Sequence, residues 1–141
     1  MFTQLKSAVL LWLPMILLPY LGFSQCGTTF YDAGGPSGVY PASDNSSWTF
    51  CPDNPGTEVV EVTFTSFNTE ANWDRLYVYD GPDNTFPLIS SGNGGGSGAG
   101  CPLPGGYWGT NIPGPFTATD PSGCLTFEFC SDGFVQFAGW A

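Results

Sequence analysis

From residue 25 onward, apolar side chains recur at every second position. In Val59–Phe67 (VVEVTFTSF), Val60, Val62 and Phe64 share one face, and Glu61, Thr63 and Thr65 share the other. Arg75–Asp80 (RLYVYD) sets Leu76 and Val78 against Tyr77 and Tyr79, and Cys124–Cys130 (CLTFEFC) sets Leu125, Phe127 and Phe129 against Thr126 and Glu128. Period two is the signature of a half-buried strand. Shorter predicted strands are Ser47–Cys51, Pro87–Ser90, Phe116–Thr119 and Phe134–Ala141. Turn-forming clusters separate them: Pro52-Asp53-Asn54-Pro55-Gly56, Asp80-Gly81-Pro82-Asp83-Asn84 and Pro121-Ser122-Gly123. No stretch sustains a helical period. The predicted fold class is all-β, a sandwich of two antiparallel sheets.

The first 24 residues differ in character. A cation, Lys6, precedes the nearly continuous apolar run Ser7–Phe23, and Gly22 and Ser24 stand at the −3 and −1 positions of a cut after Ser24. This pattern predicts a secretory signal peptide over 1–24 and a mature domain over 25–141 that is secreted or displayed at the cell surface. The competing reading is an uncleaved membrane anchor, since the run approaches the ~18 apolar residues of a spanning helix. Pro14 and Pro19 argue against a stable span, so none is expected after cleavage.

Charge narrows the function. Lys and Arg number 2 against 12 Asp and Glu, and histidine is absent. Past Ser24 the only cation is Arg75, so a nucleic-acid binder is not expected. Without histidine there is no Ser-His-Asp or Cys-His nucleophile and no His-ligated zinc. Catalysis would fall to paired carboxylates, as in glycosidases. Yet Glu70 and Asp74 flank a turn, and Glu61 and Glu128 sit mid-strand on polar faces, so an enzyme is not expected. The glycine-rich Ser91–Gly100 lacks the lysine and following helix of a phosphate loop and reads as a flexible surface loop. Asn45-Ser46-Ser47 matches a glycosylation sequon.

Five cysteines stand at 26, 51, 101, 124 and 130, with no C-x-x-C pair. In an exported chain they read as disulfide partners. Cys124 and Cys130 share strand parity but lie roughly 20 Å apart along one strand, too far to bond each other. Five is odd. Either the final strand, which stops at Gly139-Trp140-Ala141, is incomplete and Cys130 has a partner beyond it, or Cys130 is a free buried thiol.

In order along the chain stand GGPSGVYP, SSWTFCP with Tyr40 eight residues before Trp48, VEVTFTSFNTE ending in Glu70, WDRLYVYDG, PLI, a glycine-rich segment, CLTFEFCSDG and AGW. Taken together, this ordered set resembles a CUB domain, of the kind found in secreted multidomain bacterial proteins. The resemblance spans Cys26 to Ala141. It implies a jelly-roll-like β-sandwich, truncated within its last strand, that serves as an extracellular interaction module in the N-terminal part of a larger protein. It also implies a Cys26–Cys51 disulfide. The cysteine that often precedes the WD-type strand is replaced by Asn72-Trp73. The remaining three cysteines must then use another arrangement, and Cys101–Cys124 is the expected second bridge.

Calcium-binding CUB domains carry a Glu at the end of the VTF-type strand, an Asp opening the LYVYDG-type strand, an Asp in the SDG-type loop and a Tyr before the Trp-bearing strand. The matching residues are Glu70, Asp74, Asp132 and Tyr40. The resemblance therefore implies a Ca²⁺ site, and oxygen-only ligands suit that ion. The alternative for Asp74 and Asp132 is local turn capping. The implied ligand is an extracellular protein that presents lysine or arginine. A second reading is a carbohydrate-binding module that stacks glycan on Trp73, Tyr77, Tyr79, Tyr107 and Trp108.

Overall fold

The computed structural model describes residues 27–96 and 101–141. The predicted leader and Cys26 lie outside the described residues. The described chain is all-β, with seven short strands and one 3₁₀ turn at Gly35–Ser37. In chain order the strands are β1 (Ser47–Phe50), β2 (Glu61–Val62), β3 (Phe67–Asn68), β4 (Arg75–Asp80), β5 (Phe116–Thr117), β6 (Leu125–Cys130) and β7 (Gly139–Trp140).

One antiparallel sheet has the order β1-β6-β4. Its far edge, on β4, is lined by two further segments. Ile89 donates to the Val78 carbonyl (2.7 Å), and Tyr107 exchanges both backbone bonds with Leu76 (2.8 and 2.9 Å). The facing layer consists of the chain from Val60 to Asn68, with β5 paired to β2 and β7 paired to β3, both antiparallel. Between the layers lie Leu76, Val78, Leu125, Phe127 and Phe129 from the first, and Phe64, Phe67, Phe116, Ala118 and Trp140 from the second. The alternation expected for β4 and β6 holds residue by residue.

The predicted Val59–Phe67 strand is interrupted. Val60, Val62 and Phe64 do face the core, yet so does Phe67, which has the opposite parity. The cause is a bulge. Thr65 and Ser66 both donate to the Ala141 carbonyl (2.7 and 3.4 Å), so two residues oppose one and the side-chain alternation shifts. The predicted Phe134–Ala141 strand shrinks to β7, because Ser131-Asp132-Gly133 turns the chain and leaves Phe134 and Val135 exposed.

The other face of β4 and β6 is covered as well. Tyr77 donates its hydroxyl to the Leu103 carbonyl (3.0 Å). The buried Arg75 guanidinium donates to the carbonyls of Gly94 (2.5 Å), Leu103 (3.4 Å) and Asn72 (3.4 Å). Gly106 is required by this close approach: a Cβ there would lie 2.9 Å from both Arg75 Cβ and Tyr77 Cε1.

The disulfides are Cys51–Cys124 and Cys101–Cys130, which corrects both expected pairings, Cys26–Cys51 and Cys101–Cys124. Register explains the first bridge. Phe50 pairs with Leu125 across β1 and β6, so the next step sets Cys51 opposite Cys124 with Cα atoms 4.2 Å apart. Cys130 ends β6 opposite Arg75, on the face that residues 88–96 and 101–106 cover, and Cys101 meets it there. Cys130 is thus neither free nor dependent on a residue past Ala141. Two disulfides accord with an oxidising, extracellular setting. Among the described residues no helix is long and apolar enough to cross a membrane.

Candidate metal centre

Register also assembles the acidic cluster. Because Arg75 pairs with Cys130, Asp74 stands level with the start of the turn that follows β6, and the Asp132 backbone N–H donates to Asp74 Oδ1 (2.8 Å). Glu70 arrives from the end of β3 through a tight turn. Trp73 and Asp74 donate to its carbonyl (3.3 and 3.1 Å), and Asn72 takes a left-handed φ of 71°. Asn tolerates that conformation better than most residues. The 43–46 segment closes the far side, where Ser43 N–H donates to the Asp132 carbonyl (2.6 Å) and Ser131 Oγ accepts from Asp44 N–H (2.9 Å).

One carboxylate oxygen from each of Glu70, Asp74 and Asp132 lies within 4.8 Å of the other two. Asp74 is fully buried, and the other two are half-buried. Behind them, the Tyr40 hydroxyl donates to Asp74 Oδ2 (2.6 Å) and accepts from Glu70 N–H (3.0 Å). The structure therefore brings all four sequence-predicted residues together. Tyr40 stands behind the carboxylates, hydrogen-bonded to the Asp74 carboxylate and to the Glu70 backbone.

Electrostatics here is unfavourable for three anions. Burial, then the charges of Asp132 and Asp74, pushes the Glu70 carboxyl above its ordinary range. Asp74 is also pushed up, first by burial; the hydrogen bonds from Tyr40 and Asp132 oppose the shift, and the Asp132 charge adds to it. Burial and the neighbouring Asp74 raise the Tyr40 phenol. Glu70 Oε2 is shielded from solvent with no hydrogen-bond partner. A shielded carboxylate oxygen without a donor is costly unless a cation meets it.

Local capping explains only part of the arrangement. Asp132 Oδ1 does accept from Phe134 N–H (2.8 Å), as an Asx turn would. The backbone donor on Asp74 comes from Asp132, 58 positions away, so Asp74 caps no turn of its own. The mouth of the site is lined by Ser43, Asn45, Trp73 and Phe134 beside Glu70 and Asp132. Sequence reading assigned Phe134 to a strand and Asn45 to a sequon. The Ser-Asp-Gly turn before Phe134 was the available signal for a loop; nothing in the sequence marked Asn45 or Ser43.

The aromatic platform is not assembled. Tyr77 and Tyr79 are buried beneath the covering segment, and Tyr107 packs edge-on against Phe116 with centroids 5.4 Å apart. Of the five aromatic residues, Trp73 alone is exposed, at 39%. No protein-family model matches the chain.

Proposed function

We propose that this chain is a CUB-like extracellular binding module whose Glu70–Asp74–Asp132 cluster holds Ca²⁺ and through it engages a basic group of a protein ligand. The reading rests above all on the shielded, partnerless Oε2 of Glu70 within a triad of carboxylate oxygens. A divalent cation would offset the cost of burial that chiefly raises Glu70 and Asp74, and the neighbouring carboxylate charge that adds to it. In this reading Tyr40 acts through Asp74, fixing which oxygen faces the ion. Residual negative charge at the mouth suits a lysine or arginine, approached along the field of a strongly acidic surface. The ordered sequence features that resemble CUB domains support the same assignment, as does the two-disulfide β-sandwich.

Calorimetric titration of the purified 25–141 domain with Ca²⁺, run beside Glu70→Gln and Asp132→Asn, tests the reading. Saturable binding with a calcium-dependent rise in Tm, weakened in both variants, is the expected result. Equal melting temperatures in calcium and in chelator for all three proteins would refute it.

A further inference from the structure

Asn45-Ser46-Ser47 leads into β1, an outer strand of its sheet. The ladder with β6 begins before Ser47: Phe129 N–H donates to the Ser46 carbonyl (2.9 Å) and Ser131 N–H to the Asp44 carbonyl (3.0 Å). Side chains alternate along such a segment, so Asn45, Ser47 and Thr49 share the exposed face while Trp48 and Phe50 pack toward the core. A glycosylation sequon is a pair, the asparagine amide and the hydroxyl two positions on. Here both stand on one side of one extended segment. Neither side chain has a hydrogen-bond partner among the described residues. The hydroxyl between them is already engaged, since Ser46 Oγ donates to Asp44 Oδ1 (2.5 Å). A group attached to the Asn45 amide therefore breaks no bond and displaces no packed side chain. Asn45 also lines the mouth of the candidate metal centre, beside the exposed rings of Trp73 and Phe134.

We propose that Asn45 is an N-glycan acceptor and that its glycan overhangs the mouth of the acidic cluster, covering Trp73 and Phe134. The donor is a lipid-pyrophosphate-linked oligosaccharide met during export. A bond forms between Asn45 Nδ2 and the anomeric carbon of the sugar, the anomeric C–O bond to pyrophosphate breaks, the lipid pyrophosphate departs and the amide gives up one proton. A glycan is bulky and well hydrated, so it suits this exposed rim and not the core face of the strand. Its effect on ligands rests on the reading of the cluster as a binding site: the cover passes small ions and restricts a basic group carried by a protein. Attachment itself rests only on the presentation of Asn45 and Ser47.

The test secretes the full chain from a eukaryotic culture that supplies the donor, beside Asn45→Gln and Ser47→Ala. Mass spectrometry should find a glycan on Asn45 in the wild type and on neither variant, and amidase release should leave aspartate at position 45. Hydroxyl-radical labelling of Trp73 and Phe134, in chelator, should be at least about twofold lower in the glycosylated protein and recover on release. Val59, beside Cys51 at the far end of β1, should label equally in both forms. Release acts on the folded wild type, so the comparison stands even where a variant is not secreted. Mass and labelling need no Ca²⁺, so a failure of the calcium reading leaves both results in place. An unmodified Asn45 in the secreted protein, or labelling of Trp73 and Phe134 that release does not change, would overturn the proposal.

Discussion

Tyr40 and Asp74, 34 positions apart and both fully buried, share a 2.6 Å hydrogen bond at the floor of the acidic cluster. The same hydroxyl accepts the Glu70 N–H, so one phenol holds two of the three carboxylate-bearing segments in place. Tyr40→Phe removes the hydroxyl and leaves a buried carboxylate oxygen and a backbone N–H without partners. It should cost about 1–3 kcal/mol of stability and weaken Ca²⁺ binding while sparing the carboxylates themselves. Urea denaturation with and without calcium measures both effects.

Asp80 provides the pH-sensitive contact. Burial acts to raise its carboxyl, but hydrogen bonds from Thr119 Oγ1, Thr119 N–H (2.8 Å) and Asp120 N–H (3.1 Å) outweigh it and hold the group below its ordinary value. A lowered carboxyl binds fewer protons folded than unfolded. Its contribution is therefore present above the ordinary Asp range and is lost as pH falls through the lowered folded value. Denaturation of wild type and Asp80→Asn across acid pH should show wild type losing its advantage on acidification, with the two curves converging.

Peptide mapping should recover Cys51 linked to Cys124 and Cys101 linked to Cys130. Removing the first bridge, whose cysteines are 73 positions apart, should cost about 4 kcal/mol on the chain-entropy estimate. Removing the second should act more locally. In a Cys101→Ser, Cys130→Ser variant, the segment over Tyr77 and Tyr79 should exchange amide hydrogens faster than the β1-β6-β4 sheet.

Gly139 is confined by its neighbours. It has a left-handed φ of 68°, and a Cβ would collide with the Asp32 carboxylate, which accepts the Trp140 N–H (3.0 Å). Gly139→Ala should lower stability by about 1–3 kcal/mol, read from the denaturation midpoint. The shift should exceed that of an alanine at exposed Gly133, whose Cβ position would meet nothing closer than 3.6 Å.

Period-two alternation by itself determined β4 and β6, because misplacing either by one residue would turn Arg75, Thr126 and Glu128 into the apolar core between the layers. The same local pattern carried the all-β class. The identities of Tyr40, Glu70, Asp74 and Asp132 were also legible, as residue types at ordered positions resembling a known family. Their convergence was not, since it depends on Arg75 pairing with Cys130, 55 positions away on another strand. Disulfide partners are likewise a property of register: Cys51 meets Cys124 only because Phe50 meets Leu125. The bulge at Thr65–Ser66 needs the Ala141 carbonyl opposite, which no local alternation encodes. Tertiary structure also decided the fate of the tyrosines on β4. A polar-looking face reads as exposed until a distant segment, held by Arg75 and Cys101, folds down over it.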